Sequence, residues 1–263
     1  MTDRLVTLSL PLYHFDGPAR IEIIDGLEIV EAPAPTERSP ATHLLRRTLR
    51  LSRLPEDAAR YAAAREDLWI AMRALHVVAD GVCYGERIVE EGGARSQRGW
   101  RMLPNPPPPR LALSDANAPD VRDVLRWCLD EPARRLLRVP LRRLHSSLRR
   151  SRDEDRFIDL VVGLQAVLLP HFDADLALRF AVRGSVLLGA SLDERQQVFV
   201  RLRAAYREHD ALRRRARIDA PLASLDALTD DLRRCIRLCA ERMSATHEPL
   251  AAYITGLEAG LVR

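Results

Sequence analysis

"DEDRFIDLVVGLQAVLLP", residues 153–170, is apolar on nearly every side of a helix. A surface helix confines its apolar residues to one stripe, so a helix apolar all round belongs at the centre of a bundle. The stretch predicts a helical core, and its neighbours extend it. Residues 175–188 predict a helix ended by Gly189. "SLDE" (191–194) has capping-box spacing and opens a helix to about residue 216. Two more helices are expected over about 224–243 and 247–261. Upstream, Asn117 as a cap and Pro119 in a first turn mark a helix start. "ARRLLRVPLRRLHSSLRRSR" (133–152) is a helical segment interrupted at Pro140.

The first third has a different period. "RLVTLSLPLY" (4–13) alternates like a strand, and "ARIEIIDGLEIVEA" (19–32) places Asp25-Gly26 between two β-rich runs, a two-residue hairpin signal. A loop over 32–40 follows. Residues 55–80 then return to helical spacing, with Leu68, Met72, Leu75 and Val78 on one face. "LPNPPPPR" (103–110) is compatible with neither helix nor central strand. The prolines set the expected boundary: residues 1–110 as a smaller β-containing α+β region, 111–263 as a helical domain.

Composition bounds the function. The chain has 263 residues, 30% of them charged, and all 41 of its basic side chains are arginine. A net charge of +4 permits a polyanion partner without requiring one. Cys83, Cys128, Cys235 and Cys239 form no CxxC pair. Cys235 and Cys239 share a helix face but have no further ligands at zinc spacing, so buried thiols are expected and no metal or other cofactor. The first residues lack the apolar core of a signal peptide, and no run reaches the ~18 apolar residues that span a bilayer. A cytoplasmic protein that does not enter membranes is the expectation. His76 and His171 are read as structural histidines, and Trp69, Trp100 and Trp127 as core anchors. There is no phosphate-cradling Gly loop, Gly-x-Ser-x-Gly or HExxH, so nucleotide hydrolases, esterases and zinc proteases find no support.

Between Arg134 and Arg152 stand eight arginines and no Asp or Glu. Guanidinium groups bind phosphate oxygens bidentately, so Arg142, Arg143, Arg149 and Arg150, with Arg213 further on, are candidate RNA contacts. The alternative is a solvated face, or an arginine row pairing with acids elsewhere in the fold.

Several spaced motifs carry a resemblance to a family. "EDRFIDLVVGLQAVLLP", then "DLALRFAVRGSVLLG" with Arg179, Arg183 and Leu187-Leu188-Gly189, then "DERQQVFVRLRAAY" with Glu194, Arg195, Phe199, Leu202 and Tyr206, occur in order. In this the chain resembles the HEPN superfamily, in its ApeA-like branch, well over about residues 145–260 and loosely over 66–144. The resemblance implies a mainly α, HEPN-like helical bundle. For active members it implies metal-independent RNA cleavage at a two-fold dimer axis, in which a 2′-hydroxyl attacks the adjacent phosphate. Histidine would supply the proton-transfer group and arginine the cation for the developing charge.

In "YREHDALRRR" (206–215) the family frame places His209 where the family has arginine and Arg214 where it has histidine. Arg215 replaces the following glycine, and Gln165 stands where the branch has glutamate. Three readings follow. In one, His209 and Arg214 exchange roles, about 140° apart on a helix, with Asp210 orienting the histidine. In another the pair shifts to Arg203 and His209. In the third, His209 with Arg213 and Asp210 with Arg214 merely lace a solvated helix face.

The function expected is a degenerate HEPN-like module that binds RNA or a partner protein in a bacterial defence or stress system, the system being implied by the resemblance alone. The alternatives are a metal-independent endoribonuclease using His209 and Arg214, and a structural subunit of a larger assembly. A homodimer through this helix would face repulsion among Arg213, Arg214, Arg215 and Arg217.

Overall fold

The computed structural model describes residues 4–33, 41–51, 56–90, 108–169, 174–215, 224–246 and 250–258. Expectations placed on Trp100, His171, Arg217, the Arg215 side chain, most of the 32–40 loop and most of the proline run lie outside these residues. The described chain is mainly α with one small antiparallel sheet. It forms two compact units, Met1–Leu129 and Asp130–Arg263.

The first unit is built on strands β1 (Arg4–Leu12), β3 (Arg20–Ile24), β4 (Leu27–Glu31), β5 (His43–Leu51) and the short β6 (Val89–Glu90), in the order β3-β4-β5-β1-β6. Strand β2 (Phe15–Asp16) pairs separately with β7 (Leu111–Ala112). Alternation decides which face is covered. Val6, Leu8, Leu10, Leu12, Ile21, Ile23, Leu27, Ile29 and Leu45 are all buried. The expected hairpin forms at Asp25-Gly26. Gly26 has φ 71°, and a Cβ there would stand 2.8 Å from the Thr48 carbonyl oxygen, so only glycine suits the turn.

Helix α1 (Glu56–Val78) contributes Leu68, Met72 and Leu75 to the core, whereas Val78 is half-buried at the helix end. Helix α2 (Ala118–Leu129) packs on α1 and β3, and the Arg122 guanidinium donates to the Glu22 carbonyl at 3.0 Å. The division between units therefore falls after α2, downstream of the proline run. The tryptophans differ from expectation. Trp69 and Trp127 are half-buried rather than core anchors. The Arg73 guanidinium lies 5.8 Å from the Trp69 ring centre, a contact that uses the ring face at the surface. His76 is structural, as expected: it is fully buried, with Nε2 3.1 Å from the Cys83 carbonyl oxygen and 3.3 Å from its nitrogen.

The second unit holds α3 (Ala133–Leu136), α4 (Arg138–Ser147), α5 (Asp153–Leu168), α6 (Leu176–Leu188), α7 (Leu192–Arg215), α8 (Leu225–Thr246) and α9 (Leu250–Glu258). Helix α5 is central: it packs on α4, α6, α7 and α8, and buries Phe157, Leu160, Val161, Leu164, Val167 and Leu168. The segment is interrupted as expected, α3 ending at Leu136 and α4 beginning at Arg138, with Pro140 in the first turn of α4, where a missing N–H costs no helical bond. The capping box at α7 forms with a slip. The Glu194 amide donates to Ser191 Oγ, while its carboxylate accepts from Ala190 N, one residue upstream of the usual partner.

Gly81 is the tightest backbone approach in the first unit. It has φ 93°, and a Cβ would fall 2.3 Å from the Arg110 carbonyl oxygen. We expect Gly81→Ala to destabilise this unit by about 2 kcal/mol through strain and backbone clash. Urea unfolding followed by circular dichroism checks it; an unchanged midpoint would count against the tight approach.

Candidate functional site

Helix α7 carries the decapeptide, and its two sides differ. Val198, Leu202, Ala205 and His209 are buried and recur at spacings of four, three and four, which makes one stripe. That stripe packs against α6, where a Cβ on Gly184 would meet Leu202 Cδ1 at 2.1 Å. His209 is thus the last rung of a core stripe, with 5% of its surface exposed. Burial lowers its pKa below the ordinary histidine value, the Arg213 charge lowers it further, and Asp210 opposes both.

Arg214 lies on the opposite, outer side. It is exposed and forms an ion pair with Asp210 one turn back. Asp210 therefore holds the arginine, not the histidine. The pair His209 and Arg214 is directed to different faces of one helix, and Arg203, exposed on the outer face, is likewise turned away from His209. Arg213 is exposed. Gln165 on α5 is half-buried.

The arginine row is divided by one carboxylate. Asp159, inside α5 and 2% exposed at its side chain, accepts from Arg143 at 2.7 Å and from Arg150 at 2.8 Å. The hydrogen bond raises the Arg150 pKa still further above its ordinary value. Arg149 approaches buried His145, Nη1 to Nε2 at 3.5 Å. Arg142 is exposed. Of the row, then, Arg142 is turned to solvent, while Arg143 and Arg150 serve as counter-ions. Sequence reasoning did not single out Asp159. Its signal was present: a carboxylate in the middle of an apolar helix has to be neutralised when buried. Asp231 of α8 is a second case, gripped by Arg201 of α7 through two bonds of 2.8 and 2.9 Å.

All four cysteines are free and buried. Burial pushes Cys128 and Cys239 up to about 12, and Cys235 well above its ordinary range. Among the described residues no group of three or more His, Cys, Asp or Glu side chains is placed to hold a metal ion. Among them, too, no helix is long and apolar enough to cross a membrane. Comparison with family models, with characterised proteins and with solved structures finds no match for this chain.

Two outcomes test this description. Asp159→Ala leaves two guanidinium groups over an apolar helix without their acceptor, and we expect a loss of about 2–3 kcal/mol, measured by chemical denaturation. A loss below about 0.5 kcal/mol, the size of a surface pair, would show the clamp to be superficial. The second outcome concerns pH. His209 has a folded pKa below its unfolded one, so the unfolded chain binds the extra proton. Its contribution is complete above the unfolded pKa of about 6.5 and is lost as pH falls through the folded value. The wild-type protein should lose more stability between pH 7 and pH 5 than His209→Leu does. Parallel pH profiles of melting temperature would show that His209 is not buried in solution.

Proposed function

We propose that this chain is a degenerate HEPN-like binding module whose principal ligand is a protein, not a nuclease acting on RNA. The observation that carries the reading is the split of the decapeptide across α7. Metal-independent cleavage needs a proton-transfer group and a cation directed at one phosphate, and displacements of ~1 Å cost about a hundredfold in rate. His209 closes a core stripe beside α6, and Arg214 is held by Asp210 on the outer face. The exchange of residue types is therefore read as loss of the catalytic pair. A setting in bacterial defence or stress rests on the family resemblance alone.

Protein is favoured over RNA by how the arginines are used. Arg143 and Arg150 are spent on Asp159, and the acidic first turn of α5, Asp153, Glu154 and Asp155, follows directly on the basic row. Exposed apolar side chains accompany the remaining cations. Leu136 and Val139 stand beside Arg135 and Arg142. Phosphates have nothing to gain from such aliphatic surface. RNA remains a second reading because Arg135 and Arg142 are exposed and have no carboxylate partner among the described residues. It predicts weak binding that falls steeply with salt.

The test is direct. Purified protein is incubated with total RNA in EDTA, and the products are examined for 2′,3′-cyclic phosphate ends. We expect no cleavage above that of a His209→Ala control. Cleavage that disappears in His209→Ala would establish the endoribonuclease reading and overturn this one.

A further inference from the structure

The outer side of α7 has a composition that the interior of the bundle does not explain. Leu192 is 71% exposed and Val200 66%, on a helix whose opposite side is a well-packed stripe. Residues 192, 196, 200, 203 and 207 succeed one another turn by turn, so Leu192, Gln196, Val200, Arg203 and Arg207 form a single face about 22 Å long. Beside it, Ser185 of α6 and Arg195, Gln196, Phe199 and Val200 of α7 line an open groove of about 390 Å³. The Arg203 guanidinium lies over the Phe199 ring, 5.8 Å from its centre. Arg203 and Arg207 have no carboxylate partner among the described residues, and Arg195 is bonded to a backbone carbonyl, that of Gly189.

We propose that this face docks an acidic amphipathic helix of a partner protein. The proposal rests on the binding-module reading above and names the partner's chemistry. Two large apolar side chains of the incoming helix, spaced i and i+3 or i+4, cover Val200 and the Phe199 groove, with a third one turn on against Leu192. Its flanking carboxylates meet Arg195, Arg203 and Arg207. Laying an apolar face into a hydrophobic groove is how amphipathic helices are recognised generally, and the cationic rim here selects an acidic one. Desolvating the exposed apolar residues supplies affinity, and the arginines set orientation and partner choice.

Two other occupants fit less well. A second copy of this chain, meeting face to face, would bring Arg195, Arg203 and Arg207 against their own equivalents. RNA would satisfy the arginines but leave Leu192 and Val200 without apolar cover, and single strands are held by exposed aromatic platforms, which this face lacks.

The experiment is selection from a displayed library of helix-forming peptides, about four turns long, panned against the full chain at moderate salt. Enriched sequences are expected to carry Asp or Glu around large apolar residues at helical spacing. Val200→Glu, and separately the pair Arg203→Glu with Arg207→Glu, should each weaken the best peptide by at least about tenfold. All three positions are at the surface, so melting temperatures should stay at the wild-type value. Arg142→Glu, on α4, should leave the affinity within about twofold. Enrichment of basic peptides, or binding indifferent to the α7 variants, overturns the proposal. So does a dimer in sedimentation that Val200→Glu dissociates, since the face then belongs to a second copy. Peptides lost with Arg142→Glu instead would move the partner to α4 and leave the binding-module reading standing. Failure to enrich any peptide overturns this proposal, and RNA cleavage in EDTA separately overturns the reading on which it rests.

Discussion

A carboxylate at the centre of an apolar helix cannot remain ionised without partners, and the second unit is arranged around that requirement. Asp159 projects from α5 toward α4 and is met there by Arg143 and by Arg150, from the turn that follows. The two bonds fix where α4 lies along α5 and how the chain turns between them. Asp231 does the same for α8 and α7 through Arg201. Hydrophobic burial supplies most of the stability of such a bundle, but it is not directional. Paired charges are, because each guanidinium has to reach its carboxylate at hydrogen-bond distance.

The same pairings account for two of the arginines in the row. An acid-free basic run invites a nucleic-acid reading, because sequence shows charge without showing its neutralisation. Asp159 lies in the next helix, only one turn beyond the acidic cluster Asp153, Glu154 and Asp155. Folding brings it back beneath Arg143 and Arg150. Local composition can reveal a patch of like charge, but whether that charge is free depends on contacts made across helices.

Much of the architecture was nonetheless legible. The alternation in β1, the Asp25-Gly26 hairpin, the burial of α5 and the start of α7 all follow from local rules that sequence expresses directly. The break between α3 and α4 likewise falls just ahead of Pro140, whose ring crowds the carbonyl four residues back and ends the preceding helix. Departures have physical reasons. Helix α2 was grouped with the bundle because it is helical, whereas its packing surface is β3 and α1. At the candidate site the spacing puts His209 and Arg214 about 140° apart, which the sequence alone leaves compatible with flanking one groove. The side of α7 that carries His209 packs against α6, and that is a contact between elements.

Arg183 adds a different kind of joint. It is almost completely buried on α6 and donates to the Leu168 carbonyl at the end of α5, at 2.8 Å. That link ends on a carbonyl, which carries no net charge, whereas those from Arg143 and Arg150 to Asp159, and from Arg201 to Asp231, join opposite charges. Exchanging Asp159 or Asp231 for a neutral residue would therefore take away an ionic anchor of α4 or α8 and leave the Arg183 bond between α5 and α6 in place.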